Sequence, residues 1–276
     1  MKRFKDYFTI ALFLAVVFSV FAAFLILPDG DVSYTERRKL EQLPEISAKN
    51  LFSREFSEEI EAYLLDQFPA REKFRNLNSF VRMEMLNQLD VNGLWVENGH
   101  IFKHEGDFDK KQVEYGCNII NKVISDYLGG MNVYYSVIPD KSYFAEGNRP
   151  KFDYDALFKT LENGVNGAEY IDIIDTLTLD DYYRTDSHWS QDRILPVAEK
   201  LVNKMGKDMP KTEYETKEIE DFYGVYFGQA AFLGIKPDTI KFLTNNTLDM
   251  ANVYGIPAEE LMDKFGVKDT LTKKIY

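Results

Sequence analysis

Apolar residues along this chain fall into distinct regimes, and each predicts a different kind of element. From Phe8 to Leu27 they are almost continuous, broken only by Thr9 and Ser19. Twenty residues at about 1.5 Å each span about 30 Å, the hydrocarbon thickness of a bilayer. From Leu51 to Leu89 the pattern is helical: Phe52, Phe56, Ile60, Tyr63 and Leu64, then Phe74, Leu77, Phe80, Val81 and Met85, recur every three or four residues. Pro69 interrupts them, which predicts two helices joined by a turn. Asn92-Gly93 and Asn98-Gly99 flank Leu94-Trp95-Val96 and predict a short strand turning into a hairpin with Ile101-Phe102. A helix is expected over 109–128, stopped by Gly129-Gly130.

Beyond that helix, Asn132 to Pro139 is β-branched and aromatic, as a buried strand requires. A helix over 154–161, a strand over 169–174 and a helix over 191–205 follow. Strands alternating with helices favour an α/β fold, with a parallel sheet flanked by helices. After Lys207 the periodicity weakens. Residues 223–228 read as strand or loop, 236–243 as strand-like, and Pro257 opens a short helix. The division expected is a cytoplasmic N-terminus (1–7), a transmembrane signal anchor (8–27), a juxtamembrane linker (28–50), a helical segment (51–90) and an α/β domain (91–276).

Charge gives the anchor a direction. Lys2, Arg3 and Lys5 precede the apolar run, while Asp29 and Asp31 follow it. The positive-inside rule puts the N-terminus in the cytoplasm and the remainder on the extracytoplasmic side of a single-pass cytoplasmic-membrane protein. A cleaved signal peptide is the rival reading. The length of the run and the absence of small residues in Phe24-Leu25-Ile26-Leu27 favour an uncleaved anchor. A net charge of −12 leaves no basic excess for a nucleic-acid partner. The single cysteine, Cys117, excludes an internal disulfide framework and fits a small core filler. No cofactor is expected.

The chemistry centres on Tyr183-Arg184-Thr185-Asp186-Ser187-His188-Trp189-Ser190. In an extended segment the side chains of Asp186 and His188 share one side. A carboxylate there accepts the imidazole Nδ1–H and leaves Nε2 as a base, two parts of a hydrolase triad. The bland alternative is a structural pair near a turn, with Trp189 packed beneath. No serine or cysteine follows Ser190, and Ser136, Ser142, Ser187 and Ser190 all lack the tight-turn context of a nucleophile. Lys141, at the end of the strongest strand, is either an oxyanion or substrate ligand or the ion-pair partner of Asp140 or Glu146. Arg184 is either a substrate ligand or a partner for Asp180 or Asp181. His100 and His104 would share a face on a helix, as metal ligands do. The Asn98-Gly99 turn signal marks them instead as solvated hairpin residues, so no metal site is expected.

Asp186-Ser187-His188-Trp189 resembles the motif that names the DHHW family of bacterial surface proteins. Glu36-Arg37-Arg38-Lys39-Leu40, Asp66-Gln67-Phe68-Pro69-Ala70-Arg71, Asn92-Gly93-Leu94-Trp95, Val137-Ile138-Pro139-Asp140-Lys141 and Lys236-Pro237-Asp238-Thr239 support the likeness, in order. The family is similar to the SGNH-hydrolase-like domain of alginate O-acetylation proteins. The resemblance implies a flavodoxin-like sheet, Asp186 as orienter, His188 as base, and acyl transfer or ester hydrolysis on an exported polysaccharide. Lys141, Arg184 and Trp189 are the candidate substrate contacts, and other exopolysaccharide-assembly proteins are candidate partners. Ser187 replaces the first histidine of the motif. The family's C-terminal Asp-Ser block is absent, so the fold is expected to be incomplete at its C-terminus: either the chain is a fragment of a longer gene, which its abrupt end favours, or it has lost its nucleophile. As given, it is expected to be inactive. The alternative is a non-catalytic surface protein that binds glycan or an assembly partner.

Overall fold

The structure is a computed structural model that describes residues 2–250, apart from 48, 49, 148 and 150. The short helix expected at Pro257 lies outside the described residues. The described chain divides into two units, 2–81 and 82–250.

The first unit begins with helix α1, Lys2–Ile26, of which Phe4–Ile26 is long and apolar enough to cross a membrane. The expected linker has structure of its own. Strand β1, Val32–Ser33, pairs antiparallel with β2, Arg38–Lys39. Helices α2, Arg54–Asp66, and α3, Arg71–Phe80, follow on either side of Pro69. Ser53 caps α2 by accepting from the Phe56 N–H, a contact worth about 1 kcal/mol. Ala70 turns the chain with φ 55°, and Arg71 N–H bonds Phe68 O. Two of the motifs meet here. Arg38 grips both oxygens of Asp66 at 2.7 and 2.5 Å, Arg71 reaches Glu36 at 2.7 Å, and the Glu41 N–H donates to Asp66 at 2.9 Å. Arg38 holds the buried Asp66 below the usual carboxylate range. Burial opposes the charge on Glu36, but Arg71, Arg75 and Arg38 together hold it low.

The second unit opens with the expected hairpin. Strand β3, Leu94–Glu97, pairs with β4, His100–Lys103, across Asn98 (φ 50°) and Gly99 (φ 79°), the twist that Asn-Gly supplies. Helix α4, Lys110–Tyr127, is capped by Asp109. Cys117 on it is buried, with no room for a Cβ on Gly164 opposite. Strand β5, Tyr134–Tyr135, helix α5, Tyr154–Gly164, and strand β6, Glu169–Tyr170, come next, followed by helix α6, Leu195–Lys204. The last elements are strand β7, Glu215–Phe222, helix α7, Val225–Ala230, strand β8, Asp238–Thr244, and helix α8, Asn246–Asp249.

The extended parallel sheet is not present among the described residues. Only β5 and β6 run parallel, over two residues each, while the other three pairs are antiparallel. Local hydrogen bonds end the parallel ladder. The Ser136 hydroxyl donates to Ile171 O at 2.8 Å, where a main-chain donor would continue it, and Asp172 caps the Ile174 N–H and winds the chain into a 3₁₀ turn. Residues 223–228, read as strand or loop, contribute instead to α7.

Three apolar clusters hold this unit together. Val91, Leu94 and Ile101 of the hairpin pack with Tyr226, Ala230 and Phe232. Ile171, Ile173, Leu177 and Val197 form a second cluster, with Trp189 against it. Trp95 stacks on Phe102 beside Ala145. Fully burying each large side chain contributes about 1.5–3 kcal/mol, so the hairpin and α7 are firmly joined.

Candidate functional site

The segment 183–188 is a tight loop closed at its neck. Tyr182 and Trp189 bridge antiparallel, and Tyr183 N–H donates to His188 O at 3.1 Å. Its geometry corrects the extended i, i+2 picture. Asp186 makes an Asx turn, its Oδ1 accepting from the His188 main-chain N–H at 3.1 Å and meeting His188 Nδ1 at 2.5 Å. Oδ2 accepts from the Val225 N–H at 2.9 Å. Burial works against the Asp186 charge, but these three donors outweigh it and hold the carboxyl below its ordinary range. The imidazole side chain is 78% exposed while its carboxylate partner is 4% exposed. A carboxylate at Nδ1 keeps the proton there and leaves Nε2 as the free acceptor.

The loop is strapped almost entirely through its main chain. Asp238 takes the Arg184 N–H on one oxygen, and the Thr185 N–H and hydroxyl on the other, at 2.8, 2.8 and 2.5 Å. Thr185 Oγ1 accepts from the Gly224 N–H at 2.8 Å, and Thr185 O from the N–H groups of Tyr226 and Phe227. The Ile101 N–H of the hairpin donates to Arg184 O at 2.8 Å. Gly224 is required by space: a Cβ there would lie 2.4 Å from Asp186 Cβ and 2.5 Å from Thr185 O.

Lys141 lies beneath the loop. It is fully buried, and its Nζ donates to the carbonyls of Tyr183, Arg184 and Asp186 at 2.8, 3.0 and 2.6 Å. An ammonium has three donors, and all three are spent on the main chain. The side chain therefore underpins the loop, and no ion pair joins it to Asp140 or Glu146 among the described residues. Burial pushes its pKa down to about 7, against the pull of Asp140, Asp238 and Asp186.

The other sequence candidates separate. Arg184 is exposed and has no ion-pair partner among the described residues, Asp180 and Asp181 included. Trp189 is half-buried on the Ile171 cluster. Ser187 Oγ lies 3.5 Å from His188 Nδ1, the nitrogen Asp186 already occupies, and Ser190 Oγ turns to Asp192 and Tyr183. No serine or cysteine is hydrogen-bonded to His188 Nε2 among the described residues. His104 is exposed, as expected of a hairpin end, but His100 is not: it is buried, with Nδ1 unpartnered among the described residues. Burial first, then Lys141 and Arg184, lowers its pKa against Asp238 and Asp180. No group of three or more His, Cys, Asp or Glu side chains among the described residues is placed to hold a metal. Sequence reading missed the roles of Asp238, Thr185 and Gly224. The signal available was Lys236-Pro237-Asp238-Thr239, a motif noted without a role.

A polar cavity of about 440 Å³ adjoins the loop on the side of Tyr183 and Arg184, lined also by His100, Ser190, Arg193 and Lys241. Neither Asp186 nor His188 lines it. The Asp186–His188 pair and this polar cavity are thus neighbours, with Tyr183 and Arg184 as their shared wall.

No family model matches this chain, and no curated protein matches it. Among solved structures, a DHHW family protein from Eubacterium siraeum is 19% identical with a TM-score of 0.48, over 57% of this chain and 56% of its own. PatB1 of Bacillus cereus is 14% identical with a TM-score of 0.46, over 56% of this chain and 59% of its own. The chain thus matches little more than half the length of each. The first belongs to the family whose motif Asp186-Ser187-His188-Trp189 resembles.

Proposed function

We propose that this chain is a membrane-anchored, extracytoplasmic, SGNH-hydrolase-like protein of the DHHW type, serving O-acylation or deacylation of a cell-surface polysaccharide. The observation that supports this reading is the 2.5 Å contact between a buried carboxylate and a solvent-exposed imidazole. In such a pair Asp186 fixes the tautomer, and His188 Nε2 removes the proton from a hydroxyl as that oxygen attacks an acyl carbonyl. The same proton then passes to the departing oxygen, which completes the transfer.

Among the described residues no serine or cysteine is bonded to His188 Nε2, so on this reading the purified full chain is expected not to turn over p-nitrophenyl acetate. Turnover that disappears in His188→Ala would overturn this and reveal a nucleophile served by the pair. A second reading, binding of glycan or an assembly partner without catalysis, is favoured by the polar cavity and by Arg184 beside it, which has no ion-pair partner among the described residues. Retention on a polysaccharide column that survives Asp186→Ala with His188→Ala, but fails in Arg184→Ala, selects this second reading.

A further inference from the structure

The first unit leaves a corner of apolar side chains uncovered where it joins α1. Leu64 and Leu65 at the end of α2 are 45% and 63% exposed, Phe68 follows them, and Phe74 and Leu77 of α3 are half exposed. Phe68 meets Phe74 edge to face at 5.4 Å, so these two rings form one surface across the turn between α2 and α3. Contiguous apolar surface of this kind marks a contact site.

The connections of this corner identify what covers it. The Tyr63 ring lies 5.8 Å from the ring of Phe24 and its hydroxyl donates to Asp29 at 3.1 Å. Gln67 exchanges two hydrogen bonds with Gly30, at 2.9 and 3.0 Å. Phe24 lies two residues before the end of the apolar helix at Ile26. The 23 residues of that helix, rising about 1.5 Å each, slightly exceed a hydrocarbon core of about 30 Å, so Phe24 falls at its boundary. With α1 spanning a bilayer, Tyr63 would therefore stand at headgroup depth, where tyrosine is favoured. Leu64, Leu65 and Phe68 are the chain neighbours of Tyr63 and Gln67, the two residues that make these contacts.

We propose that the Leu64–Phe74 corner seats in the outer surface of the bilayer that α1 spans, making the first unit a membrane-lying foot. The contact rests on α1 being a retained span and is independent of the Asp186–His188 reading. It is apolar in character. α2 carries Glu55, Glu58, Glu59 and Glu61, and Arg38, Arg71 and Arg75 are engaged by Glu36, Asp66 and Glu72. The seat thus requires no anionic lipid and does not weaken with salt.

The test uses the full chain with Cys117→Ala, reconstituted in phosphatidylcholine nanodiscs and labelled with an environment-sensitive fluorophore at Leu65→Cys or, as control, Glu58→Cys. The label at 65 is expected to shift to the blue and to be quenched severalfold more by lipids brominated on the acyl chain, as for side chains about 5–10 Å inside the boundary. The label at 58 is expected to stay quenchable by aqueous iodide, and neither result is expected to change in high salt. Equal lipid quenching at 65 and 58, or iodide access at 65, with α1 intact by mass, overturns the proposal. Loss of α1 from membrane-extracted protein overturns the anchor itself, and leaves the dyad reading untouched.

Discussion

The molecule contains two buried polar hubs, and they are built in opposite ways. In the first unit, Arg38, Glu36, Asp66 and Arg71 neutralise one another as side chains, with Asp66 buried and the other three partly solvated. In the second, Lys141, Asp238 and Thr185 spend their donors and acceptors largely on main-chain groups of one loop. The first joins two stretches of sequence. The second fixes the path of a loop so that one exposed imidazole is presented at a set angle. A charge cluster that binds itself is a fastener; one that binds backbone is a positioning device.

Removing Lys141 is the strongest way to break this contrast. Lys141→Met leaves three buried carbonyls without their donor and is expected to cost about 3 kcal/mol or more. Hydrogen exchange should show the loss in the amides of 183–188 and of α7, while those of α2 keep their protection. Asp66→Ala removes the carboxylate that Arg38 grips. It should cost about 2 kcal/mol, below the cost for a fully buried pair because Arg38 is partly solvated, and the loss of protection should fall in the first unit alone.

Acidity separates the hubs as well. Asp66 and Glu36 are held below their ordinary range, so the stability they contribute is present above that range and is lost as pH falls through the lowered values. For Lys141 the unfolded chain keeps its proton up to about 10.5 while the buried amine releases it near 7. Unfolding therefore takes up a proton within that window. The second unit should gain stability as pH rises from 7 toward 9.5, a slope that Lys141→Met abolishes in pH-dependent melting.

Gly224→Ala tests the positioning more finely. Its new Cβ displaces Asp186 or the Thr185 carbonyl, at a cost of about 1–2 kcal/mol, and should erase the carboxylate-bonded Nδ1–H resonance of His188. The smallest effect is expected from His188→Ala. With the ring mostly in solvent, the melting temperature should not move; a clear fall would make the pair a packing device.

The legible parts of this fold were those with a local cause. Asn98-Gly99 dictated the hairpin, Pro69 the break between two helices, and Asp109 and Gly129 the limits near α4. The Asp186–His188 contact was legible from its spacing, though it forms through an Asx turn and not an extended strand. β7 gave no signal because nearly every residue of Glu215–Phe222 is exposed, leaving no alternation to read. Lys141 was misplaced for a related reason: lysines are almost never fully buried, and the carbonyls that make it possible are more than forty residues away. Asp238 and Gly224 act on main-chain atoms, which leave no imprint on residue spacing.

Since Arg184 and Thr185 are tied down by their amides and carbonyls, the side chain displayed at 184 contributes nothing to keeping the loop in shape. The socket accepts a change of tooth. A substitution at 184 is free to change the chemistry this rim displays, while the imidazole nearby keeps its aim.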